Sequence, residues 1–266
     1  MSEIGVFDSG LGGLTVLRAL KSALPQENFV YLGDTARLPY GSKSQTTIRR
    51  YVEQNIDYLY TQKIKAVVVA CNSASTVIRQ QPIESPIPIF EVIQPGAETA
   101  LKNSSTKRIG VVGTWATISQ NAYADCLHSL EPQAQVFQQA CPLLVPLVEE
   151  GWTDDPMTNL VIHRYIGGLI QQGIDTLILG CTHYPALINA FRKVVGPNIH
   201  LTDSADAMAQ KLKAALIQGE IASTATGSPG KIRLLTTDTT ARFAEIAARL
   251  LGVSSAPHLD VVDINS

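Results

Sequence analysis

Two cysteines end two apolar runs in the same way. Val67 to Ala70 leads into Cys71, followed by Asn72, Ser73 and Ser75; Leu177 to Gly180 leads into Cys181, followed by Thr182 and His183. In a parallel α/β sheet the carboxyl ends of the strands are where small molecules sit, because the loops there vary while the sheet holds them rigid. A thiol at such a place, among hydroxyl, amide and imidazole groups at a helix start, is placed to ionise, and the thiolate is the useful base or nucleophile. A free cysteine otherwise behaves as a small buried hydrophobe. That is the assignment for Cys126, in an amphipathic segment, and for Cys141, which precedes Pro142. The four cysteines form no C-x-x-C pair and no metal-ligand spacing, so no metal site is expected. In a reducing compartment all four are free thiols.

A third chemical stretch lies near the amino terminus. Asp8-Ser9-Gly10-Leu11-Gly12-Gly13 follows a short apolar run and precedes an amphipathic segment. Glycines before a helix expose backbone N–H groups to an anion, but the spacing fits neither the dinucleotide fingerprint nor a phosphate loop. An anion-friendly turn that also carries the Asp8 carboxylate suits a zwitterionic small molecule better than a pyrophosphate.

These groups need elements to hold them. Alternating signals predict strands at 4–7, 28–32, 66–70, 87–92, 109–113, 135–138, 176–179, 199–201, 231–236 and 258–262. Helices are predicted at 14–24, 44–63, 73–81, 115–130, 158–172, 205–218 and 239–251, with Gln94-Pro95-Gly96 a turn into a further helix, 141–151 a loop or short helix and 219–230 a bend. Ile4-Gly5-Val6 stands before Cys71 much as Ile109-Gly110-Val111 stands before Cys181, which suggests a duplicated unit. The expected fold is therefore α/β, with two pseudo-symmetric three-layer domains built on mainly parallel sheets and the active site in the cleft between them. Residues 1–96 plus 208–266 form a discontinuous domain carrying Cys71, and 97–207 an inserted domain carrying Cys181. A single eight-fold barrel is the competing architecture; the repeat favours two domains.

Composition bounds the function. The 266 residues are 45% hydrophobic and 17% charged, with a net charge of −2, which fits a globular α/β protein. Lys107-Arg108 and Arg49-Arg50 are too short to line a polyanion groove, so no nucleic acid is expected. No apolar run approaches the roughly 18 residues of a membrane span, and the amino terminus lacks the order of a signal peptide. A cytoplasmic protein with no membrane association is expected.

Taken together, Asp8-Ser9, Asp34-Thr35 with Pro39-Tyr40-Gly41, Ala70-Cys71-Asn72, Val145-Pro146 with Glu149-Glu150-Gly151, and Gly180 to Pro185 resemble the glutamate racemases of the cofactor-independent aspartate/glutamate racemase superfamily. The likeness runs from Ile4 to about Asp203, with a weaker return at Leu235 to Asp238. Two departures stand out: Ser73 replaces the usual threonine after Cys-Asn, and Thr236-Thr237-Asp238 lacks the small residue often found before the acid.

The resemblance implies interconversion of L- and D-glutamate without a cofactor, supplying D-glutamate for peptidoglycan and so for cell shape. Cys71 would deprotonate the D-isomer and Cys181 the L-isomer, with Asp8 assisting Cys71, His183 assisting Cys181 and Glu150 orienting the histidine. Ser9, Tyr40, Gly41, Asn72, Ser73 and Thr182, with Asp8 and His183, match substrate-binding positions. Thr114 and Thr117, at the equivalent helix start of the second half, are added as candidates for the α-carboxylate. His128, His163, His200 and His258 are assigned no role. Family members commonly form homodimers, and one is expected here. Two other readings stay open at this point: a sister racemase acting on aspartate or another amino acid or hydantoin, and a non-catalytic metabolite-binding protein.

Overall fold

The computed structural model describes residues 3–223 and 227–264. In the first half, β1 (Glu3–Asp8), α1 (Leu14–Ala23), β2 (Phe29–Gly33), α2 (Gln45–Thr61), β3 (Ile64–Val69), α3 (Asn72–Gln80) and β4 (Ile89–Glu91) alternate. A crossing helix, α4 (Ile93–Asn103), leads to β5 (Arg108–Gly113), α5 (Trp115–Ser119), α6 (Ala122–Leu130), β6 (Gln135–Ala140), α7 (Leu144–Glu149), α8 (Pro156–Gln171), β7 (Thr176–Gly180), α9 (Ile188–Val195) and β8 (His200–Asp203). The return helix α10 (Ser204–Ile217) then precedes β9 (Ile232–Thr236), α11 (Ala241–Leu251) and β10 (Asp260–Val261).

Among the described residues the strands form two open sheets, ordered β10-β9-β2-β1-β3-β4 and β6-β5-β7-β8, and every pairing is parallel. A barrel is excluded. The first sheet draws its strands from both ends of the chain and the second from its middle. Within them the order β2-β1-β3-β4 matches β6-β5-β7-β8 strand for strand. The Ile-Gly-Val runs are thus the equivalent strands β1 and β5, and the two cysteines follow the equivalent strands β3 and β7. Helices cover both faces of these sheets, so β2, β3 and β7 read as near-continuous apolar runs rather than as alternating ones.

The halves are not separately packed. One apolar cluster joins Leu14, Leu17 and Leu20 of α1 to Met208 and Leu212 of α10 and to Leu187 and Phe191 of the second half. The residue pairs 96/97 and 207/208 lie inside α4 and α10, the two helices that carry the chain between sheets.

Local differences from the sequence expectations have physical causes. The single helix expected at 115–130 is two, because Asn121 turns left-handed at φ 54°, a conformation asparagine tolerates better than most residues. Gln94-Pro95-Gly96 is not a turn but the first turn of α4. Proline is tolerated there because its missing N–H would have had no partner within the helix. The short α9 was not anticipated, and a 3-10 turn, Tyr184–Leu187, separates it from Cys181. The bend expected at 219–230 falls partly on residues 224–226, outside the described ones.

Candidate active site

Both thiols line one cavity of about 300 Å3, together with Ser9, Tyr40, Gly41, Asn72, Ser73, Thr114, Thr182 and His183. The cavity opens where the carboxyl ends of the two sheets meet. Cys71 follows β3 after Ala70 and is the N-cap of α3, its sulfur accepting from the Ala74 N–H at 3.4 Å. Its thiol points at Ser9 Oγ, also 3.4 Å away. Burial, then the nearby Asp8 charge, pushes the Cys71 thiol up to about 12, against the pull of these hydrogen bonds.

Asp8 lies behind the cavity wall, fully buried at the end of β1. The Gly10 N–H and Thr182 Oγ1 donate to its two oxygens at 3.1 and 3.3 Å. Burial raises the Asp8 carboxyl above its ordinary range; the His183 charge and the hydrogen bonds oppose that rise. Asp8 is therefore set between the two halves, next to Ser9 on one side and bonded to Thr182 on the other.

Cys181 has a different support. It is not an α-helix N-cap, since the 3-10 turn follows; its partner is the His183 side chain. Burial alone would lower the imidazole, but the neighbouring Cys181 and Glu149 side chains outweigh it and push His183 up to about 10. His183 Nε2 stands 3.3 Å from Glu149 Oε1, an ion-pair distance without an aligned hydrogen bond. Gly12 closes the other side: a Cβ there would collide with Thr182 Oγ1 and His183 Nδ1. Thr15 Oγ1 also donates to the Thr182 carbonyl at 2.8 Å, tying α1 to the loop that carries Cys181.

One expected residue is in the wrong place. Glu150 does not line the cavity; it pairs with Arg242 of α11 on the surface. Glu149 takes the position beside His183. The cause is helical rotation: Pro142, Val145, Pro146 and Glu149 line the cavity at i, i+3, i+4 and i+7, one face of a helix. The next residue is turned about 100° away. That stripe was readable in the sequence and would have selected Glu149.

Other expected residues reach the cavity with their polar ends occupied. Tyr40 presents its ring, but its hydroxyl donates to Asp34, which also accepts from Arg37, Asn55 and Thr237. Asn72 accepts from Tyr123 Oη at 2.7 Å and donates to Ser204 Oγ at 3.4 Å. Ser73 Oγ lies 2.9 Å from Thr114 Oγ1 and 3.4 Å from Thr117 Oγ1, a hydroxyl cluster joining the two halves, with Thr117 buried behind the wall. Gly41 packs on Thr114, where a Cβ would come within 2.8 Å. Trp115, Leu38 and Ser42 line the cavity and were not singled out from the sequence. Cys126 and Cys141 are buried outside it; burial first, and then the neighbouring Cys181, raises the Cys141 thiol.

Two matched parallel sheets, each delivering a buried thiol to a shared cavity, define an α/β protein equipped for acid–base chemistry on a small molecule. The chain belongs to the Asp/Glu/Hydantoin racemase family, whose model matches residues 4–212. It is 48% identical over 256 residues to a glutamate racemase from Syntrophus aciditrophicus (strain SB), covering 96% of this chain and 94% of the relative. Among solved structures, the glutamate racemase isoform RacE1 from Bacillus anthracis superposes with a TM-score of 0.91 at 37% identity, covering 98% of this chain and 97% of that one. Glutamate racemase from Francisella tularensis in complex with D-glutamate gives 0.90 at 34% identity, covering 99% and 98%.

Proposed function

We propose that the protein interconverts L- and D-glutamate by a two-base mechanism and so supplies D-glutamate for peptidoglycan. The observation that carries this reading is that Cys71 and Cys181, at the ends of equivalent strands, line one cavity, each with its own polar support.

Inversion at Cα requires a proton to leave from one face and another to arrive at the opposite face, so two acid–base groups must flank the carbon. In the L-to-D direction the Cys181 thiolate takes the α-proton, beside the His183 imidazolium. The electron pair left on Cα spreads into the α-carboxylate, and the Cys71 thiol donates its proton to the other face. The D-to-L direction reverses both steps. Glu149 holds the His183 charge, and Asp8 with Ser9 serves Cys71. The Ser73 and Thr114 hydroxyls, backed by the buried Thr117, and the backbone at Gly41 hold carboxylate, where fixed dipoles stabilise charge developing in the transition state. The proposal needs no cofactor.

The division into 1–96 plus 208–266 and 97–207, cytoplasmic location, a homodimer and the absence of a nucleic-acid partner belong to the same reading. Turnover of each glutamate isomer in deuterated water tests it, with aspartate run alongside. Solvent deuterium should enter Cα in both directions with glutamate, and faster than with aspartate. Retained exchange in a Cys71→Ala/Cys181→Ala variant would overturn the two-thiol mechanism.

A further inference from the structure

Tyr123 touches the chain on either side of the two thiols. It is fully buried at the start of α6, where the left-handed Asn121 ends one helix and re-aims the next. Its hydroxyl donates to Asn72 Oδ1 at 2.7 Å, one residue after Cys71. Its ring lies against Gly180, one residue before Cys181: a Cβ on Gly180 would stand 3.0 Å from Tyr123 Cε2 and 2.8 Å from the Val112 carbonyl. The far side of the phenol rests on Gly96 of α4, where a Cβ would lie 3.3 Å from the hydroxyl and 3.4 Å from Cε1. Asn72 is meanwhile held by Ser204, the first residue of α10. A single rigid side chain is thus wedged between the β3–α3 junction and the end of β7, backed by the helix that crosses between the sheets.

We infer that Tyr123 is a positioning residue that sets the separation of Cys71 and Cys181. The inference rests on the two-thiol reading above. A phenol suits the task because it spans a fixed length with few rotatable bonds, and its buried hydroxyl must keep a partner. Asn72 then acts as the other half of the spacer rather than as a group free to bind substrate. A misplaced acid–base pair costs turnover more than ground-state binding, since both thiols must reach Cα at once in the transition state.

The test uses Tyr123→Phe, which keeps the ring on Gly180 and removes the bond to Asn72. Gly96→Ala serves as a second variant, nudging the phenol from outside the cavity while favouring its own helix. Two readouts are taken on each: kcat and KM in both directions, and the yield of Cys71–Cys181 cross-link formed by dibromobimane, with the linked peptides identified by mass spectrometry. For Tyr123→Phe, kcat should fall by the same factor in both directions, on the order of 10- to 100-fold, with KM nearly unchanged and the cross-link yield altered. Gly96→Ala should show the same pattern more weakly, and it stands as the test if Tyr123→Phe does not fold. Unchanged kcat and cross-linking in a folded variant would overturn the inference, as would lost kcat with wild-type cross-linking. Activity surviving in the double cysteine variant would instead sink the two-thiol reading, whatever the cross-linker reports.

Discussion

At the scale of single residues, the two thiols stand in unlike surroundings. Cys71 faces neutral partners with a buried carboxylate behind it; Cys181 faces an imidazole that its neighbours push up to about 10. Glu149 contributes to that charge and Glu150 does not, so the adjacent substitutions should part. Glu149→Gln should lower kcat on the order of tenfold and shift the basic limb of the pH–rate profile downward. Glu150→Gln should leave both alone, because its partner Arg242 is a surface group; steady-state rates across pH decide. The same histidine predicts a stability trend. Its folded pKa lies above the unfolded value of about 6.5, so its contribution is fully present below that value and is lost as pH rises through about 10. The fall in melting temperature between these pH values should be shallower in His183→Asn than in the parent protein.

At the scale of elements, the strand-to-helix junctions explain why each thiol is where it is. Cys71 is both a candidate base and a helix cap, since its sulfur accepts from the Ala74 N–H that α3 leaves unpaired. Serine is a good N-cap and alanine a poor one. Cys71→Ser should therefore melt at or above the parent temperature, and Cys71→Ala should be less stable than Cys71→Ser by about 1 kcal/mol. Both should lose about 10²- to 10⁴-fold in turnover. Calorimetry beside kinetics separates the two roles: equal melting of the serine and alanine variants would show that the sulfur does not cap. Cys181 caps no α-helix, so the corresponding pair of variants should differ little in stability.

At the scale of the whole molecule, the shared apolar cluster between α1, α10 and the second half argues for one cooperative unit, despite two sheets. The arrangement gives a direct check, because both tryptophans, Trp115 and Trp152, lie in the second half. Denaturant curves from tryptophan fluorescence, which reports that half, and from far-ultraviolet circular dichroism, which reports the whole chain, should coincide. A fluorescence transition at a separate midpoint would mean that the halves unfold independently. Shared packing also bounds how the cavity can open. Movement at α4 and α10 would have to shear the α1–α10 contact, whereas the segment 34–42 is held by the Asp34 hub of hydrogen bonds and by those of Thr35 and Ala36 to Thr237 and Asp238.

Much of this was legible in the sequence because it depends on local order along the chain. Buried parallel strands need unbroken apolar runs, and the residues after them fall at the carboxyl edge whatever the rest of the fold does. Cys71, Cys181 and Asp8 were therefore singled out by position, Ser9 and His183 took their roles from the motifs that carry the resemblance, and the two Ile-Gly-Val runs suggested a duplicated unit. Tertiary structure decided whatever turns on direction rather than position. One step around a helix separates Glu149 from Glu150; a left-handed Asn121 aims Tyr123; and the Asn72 amide and Tyr40 hydroxyl, polar and near the cavity, are committed to partners far away in sequence. Residue type and spacing say which groups can do chemistry, but only packing determines which of their hydrogen-bonding atoms are left free to do it.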